Sequence, residues 1–366
     1  MVSANLVFAA LVALSHLKNE TQMDHPQFDE PIWSAYKAQY GKSYGPEEDN
    51  LRKQIFFSEK LKIDKYNEAK LSPSLVVNGM ADLTWEDLGL FPLNLRKSPE
   101  KTGGPFLDSI MKLDTLVPQG LDWRNTNRVT GVKDQGLTCG SCWAFAAVGA
   151  LEGQEVVRGK SRLVRLSEQN LIDCSSNTSC LGGWAHEAYE HTAKHGIMRE
   201  KDYPFREVQY PCKADPSKVF FKNEGAEHLS LTDEEQLRQV VAKYGPVVAY
   251  LLANTPGFKY LRGKEVFSEC PQTDELDHAV LIVGYGTGTR SDPELDYWII
   301  KNSWGKHWAD VGFGKVARNQ GCLILQKPVI PTFSLEQSSG NASLSIGSSG
   351  QGTRSQMEER NSKLIS

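Results

Sequence analysis

The cysteines of this chain are confined to one region, and this limits what the chain can fold into. All seven lie between Cys139 and Cys322 of a 366-residue sequence, so disulfide bonds can staple that region and not its flanks. An odd count leaves one thiol over if the others pair. A zinc site needs clustered C-x-x-C pairs, and only Cys139 and Cys142 have that spacing. The sequence therefore predicts a stapled domain with one spare thiol and no metal.

Cys142 is the strongest candidate for a reactive thiol. It lies in the stretch from Gln135 to Phe145, where a Gly/Ser turn leads into an apolar run that predicts a helix over 142–158. A cysteine in the first turn of a helix faces backbone N–H groups and the positive end of the helix dipole, which favour thiolate over thiol. A redox-active pair of Cys139 and Cys142 is the alternative, but the βαβ context of such proteins is missing.

The two ends of the chain predict segments outside any folded domain. Leu6 to Leu14 is an unbroken apolar run of nine residues, which is typical of a signal peptide and too short to cross a bilayer. We therefore expect a signal peptide over residues 1–15, export, and no membrane span. Residues 334–366 are rich in Ser, Gly, Gln and Asn, and they predict a disordered tail.

The body of the chain changes character near residue 115. Before it comes a cysteine-free block whose helical part is predicted over about 28–90, with turn signals from Asn78 to Leu88 and a Pro/Gly-rich linker over 92–118. After it, helices are predicted at 142–158, 184–195 and 232–244, the last with a capping box of Thr232 and Glu235. Strands are predicted at 246–252, 279–285 and 296–301, which together favour an α+β class.

Two downstream residues are suited to keep a thiol ionised. His278 leads directly into an apolar strand, whose edge can hold an imidazole firmly, and Asn302 can accept a hydrogen bond from the second ring nitrogen. Taken singly, such residues are more often a buried cysteine, a surface histidine and a turn asparagine. In this order and context they predict nucleophilic catalysis. The net charge of −4 gives no reason to expect a nucleic-acid partner.

The sequence around these positions resembles papain-like cysteine peptidases of the cathepsin L type. Gly140-Ser141-Cys142-Trp143 matches the signature around the nucleophile. His278 follows Cys142 by 136 positions, within the usual separation, and Asn302 follows it by 160, slightly beyond. Other similar stretches are Asp122-Trp123-Arg124, Val132 to Gly136, Leu166 to Cys174, Cys180 to Gly183, Gly284-Tyr285-Gly286 and Asn302 to Gly305.

The resemblance implies a papain-like fold with a helical lobe and a β-barrel-like lobe over residues 116–333, behind an inhibitory propeptide over 16–115. In that family Cys142 would attack the peptide carbonyl as the thiolate of a Cys–His ion pair. His278 would protonate the leaving amine, and Asn302 would orient its ring. Gln135 would form the oxyanion hole with the Cys142 N–H, and Trp304 would shield the His278–Asn302 contact.

The resemblance also implies disulfides and a substrate pocket. The implied bridges are Cys139–Cys180, Cys174–Cys212 and Cys270–Cys322, chosen from the fifteen pairings that six cysteines allow. The substrate-binding positions are Gly182, Gly183, Trp184, Ala185, Tyr250, Leu276, Asp277 and Lys327. Tyr250 and Leu276 suggest a hydrophobic pocket, although core packing is an equal alternative for Trp184 and Tyr250. Lys327 at the pocket base favours an acidic or polar substrate side chain, or turns outward.

The chain departs from the family at four places. One residue more than usual separates Gln135 from Cys142, so either the loop bulges outward or the oxyanion geometry changes. Ala309 stands where the family usually has Gly. In the propeptide, Glu59 and Met80 replace the usual Asn and Phe, which is expected to loosen the inhibitor. The propeptide residues that follow the family motif are Glu48, Arg52, Phe56, Ile63, Asn67, Asn78 and Asp82.

These features predict a cysteine endopeptidase made as an inactive precursor in the secretory pathway, lysosomal or extracellular. Its expected partners are protein or peptide substrates, its own propeptide and cystatin-like inhibitors, and it is expected to be a monomer without a cofactor. Asn177 is the most credible glycosylation site because it lies in a short loop between two cysteines. The alternative is a catalytically impaired homologue that acts as a binding or matrix protein.

Overall fold

A computed structural model of the protein describes residues 29–71, 73–88, 104–157, 162–175, 179–270, 275–288, 295–322, 325 and 327–333. The predicted signal peptide, the tail and Asn177 lie outside these ranges. Among the described residues, no helix is both long enough and apolar enough to cross a membrane.

Two helices begin the described chain and form a small core of their own. Helix α1 spans Glu30–Tyr40, and α2 spans Pro46–Glu68. Trp33, Tyr36 and Phe56 meet between them with ring centroids 4.3–5.6 Å apart, and all three side chains are buried. The Trp33 indole donates to Asp49 at 3.0 Å, which ties the start of α2 to α1.

The helical part of this block ends earlier than predicted. After Glu68 the chain turns, with Lys70 in the left-handed region at φ +54°, and residues 73–88 form turns instead of helix. This segment is held by tertiary contacts: Leu75 forms an antiparallel bridge with Leu261, and Asp82 accepts hydrogen bonds from Tyr36 and Tyr44 at 2.8 and 2.6 Å. The asparagine–glycine and proline signals here outweigh the helical period.

The predicted linker contains a helix, α3, at Pro105–Met111. Proline at its first position is compatible with a helix start, because that residue needs no intrahelical donor. The N–H groups of Phe106 and Leu107 donate to the Glu227 carboxylate at 3.3 and 2.7 Å. The linker prediction was wrong here because the acceptor for these amides lies 120 residues away in the sequence.

The remaining helices pack on one large core. They are α4 (Cys142–Val157), α5 (Glu168–Cys174), α6 (Ala185–His195), α7 (Glu234–Lys243) and α8 (Pro256–Lys259). Helix α7 begins with Asp233, whose side chain accepts from the Gln236 N–H at 2.8 Å, so the predicted capping box of Thr232 and Glu235 was wrong by one residue. Helix α5 was not predicted from the sequence.

Eight of the ten strands in the described ranges form one mixed sheet. The strands are β1 (Leu121–Asp122), β2 (Ile197–Met198), β3 (Val219–Phe221), β4 (Gly225–His228), β5 (Val247–Leu251), β6 (Val266–Phe267), β7 (His278–Gly286), β8 (Tyr297–Lys301), β9 (Phe313–Ala317) and β10 (Val329–Thr332). The sheet order is β4-β10-β5-β7-β8-β9-β6, with β1 on β7, and β2 pairs β3 separately. All its pairs are antiparallel except β6–β9. Strand β7 is buried along its whole length and packs against α4, which brings the two lobes together.

Candidate active site

Cys142 is the first residue of α4 and is buried. It is the one cysteine outside a disulfide among the described residues. The preceding loop is fixed by the Cys139–Cys180 bridge and by a hydrogen bond from the Gly140 N–H to the Cys180 carbonyl at 2.7 Å. The backbone N–H of Ala279 forms a hydrogen bond with the Cys142 sulfur. The thiol therefore lies beside the start of β7.

His278 and Asn302 meet because β7 and β8 are antiparallel neighbours. Leu281 pairs with Lys301, which brings the start of β7 next to the residue that follows β8. The His278 Nε2 lies 2.7 Å from the Asn302 Oδ1, and the Nδ1 has no hydrogen-bond partner among the described residues. The ring of Trp304 lies 4.7 Å from that of His278 and covers the contact.

Burial sets the charge state of this pair in the precursor. It raises the pKa of the Cys142 thiol to about 11, against the lowering effect of nearby backbone N–H groups. It lowers the pKa of His278 to about 4, although the hydrogen bond with Asn302 opposes the shift. Between these values both groups are neutral. The expected thiolate–imidazolium pair is therefore not the favoured form while the site is closed, because desolvation disfavours both charges.

Gln135 is held beside this site by Ser303. The Gln135 N–H donates to the Ser303 carbonyl at 2.8 Å, and the Ser303 hydroxyl donates to the Gln135 Oε1 at 2.6 Å. With its oxygen occupied, the amide presents its NH₂ group as the remaining donor. That is the group an oxyanion hole requires.

The extra residue between Gln135 and Cys142 is accommodated at the surface. Leu137 and Thr138 are exposed, and the Thr138 hydroxyl donates to the Glu207 carbonyl at 2.8 Å. Gly136 has φ +68°, and a side chain there would meet the Glu207 carboxylate at 2.1 Å. The loop therefore bulges outward and leaves Gln135 buried.

The predicted pocket residues form one buried group. Trp184 and Tyr250 pack edge to face at 4.9 Å, and the Ala185 N–H donates to the Tyr250 hydroxyl at 2.8 Å. The Lys327 ammonium lies 4.8 Å from the centre of the Trp184 ring, so it turns towards the pocket. Leu276, two residues before His278, is fully buried.

The Asp277 side chain holds a neighbouring loop by its backbone, and Gly182 and Gly183 lie where the chain needs no side chain. The Asp277 carboxylate accepts from the N–H groups of Ala253 and Asn254 at 2.6 and 3.1 Å, and burial raises its pKa to about 6. Gly182 has φ +109° and bridges Ser179, a conformation that side chains rarely adopt. Gly183 is buried beside it.

The six other cysteines pair as the resemblance implied. The bridges are Cys139–Cys180, Cys174–Cys212 and Cys270–Cys322. No group of three or more His, Cys, Asp or Glu side chains in the described ranges is arranged to hold a metal ion.

The amino-terminal block binds the lobe that carries His278. The Tyr260 hydroxyl donates to the Glu59 carboxylate at 2.6 Å, and the buried Lys259 ammonium lies 3.8 Å from the same carboxylate. Lys259 also donates to the Leu83 carbonyl at 2.7 Å. The Val76 N–H donates to the Tyr260 carbonyl at 3.0 Å. Glu59 is thus a contact between the amino-terminal block and this lobe, and the expectation that it loosens the block relative to the usual Asn stays a prediction.

Met80 borders a cavity, whereas Glu59 forms polar contacts. It lines a cavity of about 220 Å³ between the amino-terminal block and the wall formed by Trp304 and Trp308. Of the residues that sequence reasoning missed, Ser303 had a signal, since it adjoins Asn302. Lys259 had none, because its partner Glu59 is 200 positions away.

Comparisons with known proteins give a consistent result. A family model described as papain family cysteine protease matches residues 117–332, and one described as cathepsin propeptide inhibitor domain matches residues 33–88. Cathepsin L of Sarcophaga peregrina is 39% identical over 341 residues, which cover 88% of this chain and 98% of that protein. Cathepsin L2 of Homo sapiens is 33% identical over 306 residues, covering 81% and 90%.

Solved precursor structures have the same fold. Digestive procathepsin L2 from the larval midgut of Tenebrio molitor is 34% identical with a TM-score of 0.74, covering 83% of this chain and 99% of that one. The recombinant stem bromelain precursor is 28% identical with a TM-score of 0.71, covering 83% and 99%.

Proposed function

Because the chain belongs to the papain family of cysteine proteases and is a cathepsin L-like enzyme made with an inhibitory propeptide, we propose that Cys142, His278 and Asn302 are its catalytic residues. The observation that carries this proposal is the 2.7 Å contact between the His278 Nε2 and the Asn302 Oδ1, which leaves the Nδ1 for the thiol. Cys142 is the matching nucleophile because it is unbridged and begins α4.

Each proposed role follows from the chemistry of acyl transfer. The Cys142 sulfur attacks the peptide carbonyl after its proton passes to the His278 Nδ1, and the imidazolium then protonates the leaving amine. The developing oxyanion accepts from the Gln135 amide and the Cys142 N–H, each worth about two to three orders of magnitude in rate. His278 next activates the water that hydrolyses the acyl-enzyme. Asn302 orients the ring, and Trp304 excludes water from that hydrogen bond.

Labelling with a thiol-reactive peptidyl epoxide tests these roles. After acid treatment of the precursor, we expect modification at Cys142 alone and loss of peptidase activity in proportion. A Cys142→Ser variant should neither react nor cleave. Full labelling of a His278→Ala variant at the wild-type rate contradicts the proposed pair. A binding or matrix homologue would take no label, and a thiol–disulfide exchange protein would reduce insulin instead.

We further propose that Trp184, Tyr250, Leu276 and Lys327 set substrate preference at the second residue before the cut. The apolar rings favour a hydrophobic side chain, and the Lys327 ammonium beside Trp184 adds preference for an acidic one. Gly182 and Gly183 would bind the substrate backbone, and Asp277 would hold the adjacent loop. A peptide library tests this: no gain for Glu or Asp over Gln, or the same gain in a Lys327→Met variant, refutes the role of Lys327.

We propose activation by acid removal of the propeptide, from residue 16 to about 115. Acid protonates carboxylates that hold the propeptide together and hold it to the enzyme, Asp49 and Glu59 among them, and this weakens the propeptide. Hydrogen bonds and nearby lysines lower their pKa values, so their contribution persists to below the ordinary carboxyl range. A precursor that acid incubation neither cleaves nor activates excludes this mechanism.

The cellular setting follows from the family and the proposed leader. Enzymes of this family are lysosomal or secreted, and we propose entry to the secretory pathway through residues 1–15, with residues 116–333 as the mature enzyme. We also propose that it acts as a monomer, with cystatin-like inhibitors and protein substrates as partners. Glycosylation at Asn177 would mark passage through that pathway. The mass of the secreted chain, measured before and after glycosidase treatment, tests both secretion and glycosylation. We expect the treatment to lower the mass of the wild-type chain and to leave that of an Asn177→Gln variant unchanged.

A further inference from the structure

A small cavity lies directly beneath the catalytic pair, between the two lobes. Its volume is about 10 Å³, and its wall includes Ala146 of α4, Ala279 of β7 and Asn302. A cavity of roughly 10–15 Å³ holds one water molecule, provided that two to four polar groups face it. The polar part of this wall is formed by Lys133, Glu168, Lys301 and Ser303 together with Asn302.

The Asn302 amide has an unused donor on this wall. Its Oδ1 accepts from both the His278 Nε2 and the Ser303 N–H, each at 2.7 Å. Its Nδ2 has no partner in the described part of the chain, although the residue is only 3% exposed. A buried amide donor without a partner is costly, and a water molecule in the cavity would supply the acceptor that the Nδ2 needs.

Glu168 supplies the opposite side of the cavity. It is 2% exposed, begins α5 and accepts from the Lys133 ammonium at 2.8 and 3.0 Å. Burial raises the pKa of Glu168 to about 7, while the charge of Lys133 opposes that shift. The other charged groups that face this cluster are Glu152 and Glu200, 3.7 and 3.5 Å from Lys133, and Lys301, which donates to Thr130.

We propose that this cavity binds one water molecule that accepts from the Asn302 Nδ2 and donates to the Glu168 carboxylate, which makes Glu168 a positioning residue for the catalytic pair. The inference rests on the proposed roles of Asn302 and His278. The His278 Nε2–H and the Ser303 N–H hold the Asn302 Oδ1, and the water accepts from the Nδ2 on the other side. Both ends of the amide are then hydrogen-bonded, which fixes its orientation towards His278. Glu168 thereby stabilises the imidazolium from the other lobe.

Glu168→Gln tests this assignment in enzyme processed from the full-length precursor. Gln keeps the size of the side chain but replaces the carboxylate with a neutral amide, whose oxygen accepts from the water about half as strongly. We expect kcat to fall about tenfold, the effect of losing one hydrogen bond of ordinary strength, while KM changes less than twofold. The alkaline limb of the kcat/KM profile should move to lower pH, because His278 releases its proton more easily. Glu200→Gln is the matched control, since it contacts the same lysine but does not line the cavity, and it should change neither quantity.

A second variant and a crystal structure test the same proposal if Glu168→Gln fails to fold. The double variant Lys133→Met/Glu168→Leu leaves neither charge of that pair buried alone and removes the acceptor, so it should show the same pH shift. A high-resolution crystal structure of the wild-type enzyme should show a water within hydrogen-bond distance of both the Asn302 Nδ2 and Glu168. A dry cavity, an unshifted pH profile in Glu168→Gln, or an equal loss in Glu200→Gln overturns the inference. Failure of wild-type labelling at Cys142 would instead reject the proposed catalytic roles.

Discussion

The reactivity of Cys142 should depend steeply on pH before the propeptide is removed and hardly at all afterwards. With a thiol pKa of about 11 in the closed precursor, about one molecule in ten thousand carries a thiolate at pH 7, and that fraction rises tenfold per pH unit. In the processed enzyme the open site restores water to the pair, and ion pairing with His278 lowers the thiol pKa to roughly 3–4, as in papain. Its thiolate fraction is then constant from pH 5 to 8.

The slope against pH is the quantity that separates the two states. A thiolate of lower pKa is a weaker nucleophile, with a Brønsted slope of about 0.4–0.5, so absolute rates at pH 7 differ less than the ionised fractions. Alkylation by iodoacetamide, followed by intact mass between pH 5 and 9, measures the slope directly. The precursor is the wild-type chain, alkylated for a time too short for processing, and the same intact-mass spectrum shows that it is still uncleaved.

We expect the logarithm of the precursor's alkylation rate to rise by about one per pH unit, and that of the processed wild-type enzyme to stay flat over pH 5–8. A Cys142→Ser precursor should take no label, since the other described cysteines are bridged. A flat profile in the precursor would show that its thiol is already ionised, and the argument from burial would then be wrong. A steep profile in the processed enzyme would contradict the ion pair instead.

Three further changes test the propeptide contacts and the one strained alanine. Glu59→Gln should weaken propeptide binding about ten- to a hundredfold, because it removes a charge-assisted hydrogen bond of about 1.5–3 kcal/mol to Tyr260 and the counter-charge of Lys259. Inhibition of the mature enzyme by added propeptide measures this, and Glu68→Gln, exposed on the same helix, should have no effect. Met80→Phe should fill part of the 220 Å³ cavity and slow acid activation about fourfold, which corresponds to a gain of about 0.8 kcal/mol from one additional buried carbon; faster activation would mean that the cavity cannot accept the ring. Ala309→Gly should raise the free energy of unfolding by up to about 1 kcal/mol, because Ala309 has φ +43°, and a lower denaturation midpoint would refute the strain.

Several elements of this molecule were predictable because their signals are local. The apolar run after Cys142, the strand after His278 and the strand before Asn302 all appear within a few residues of their predicted bounds. Their hydrophobic periods depend on neighbouring residues alone. The strands β1, β2, β3, β4, β6, β9 and β10 were missed, and all of these except β9 span only two to four residues, which carry too little periodicity.

The departures from the family show where local reasoning ends. Glu59 was expected to loosen the inhibitor because it replaces the usual Asn, and no local pattern predicted that the fold places its carboxylate 3.8 Å from the Lys259 ammonium. Helix α3 looked like a linker because the carboxylate that accepts from its first amides belongs to β4. In each case a polar group is satisfied by a partner that only long-range folding supplies.

The sequence by itself predicted the chemistry that we propose for this protein: a spare thiol, an imidazole and an amide to accompany it, and the helical block that precedes them. Only the tertiary structure decided their state. The register of β7 on β8 brings the His278 and Asn302 side chains within 2.7 Å, and burial in the closed precursor keeps the thiol and the imidazole neutral. Residue identity is local, whereas desolvation and hydrogen bonding depend on everything that the fold packs around a group.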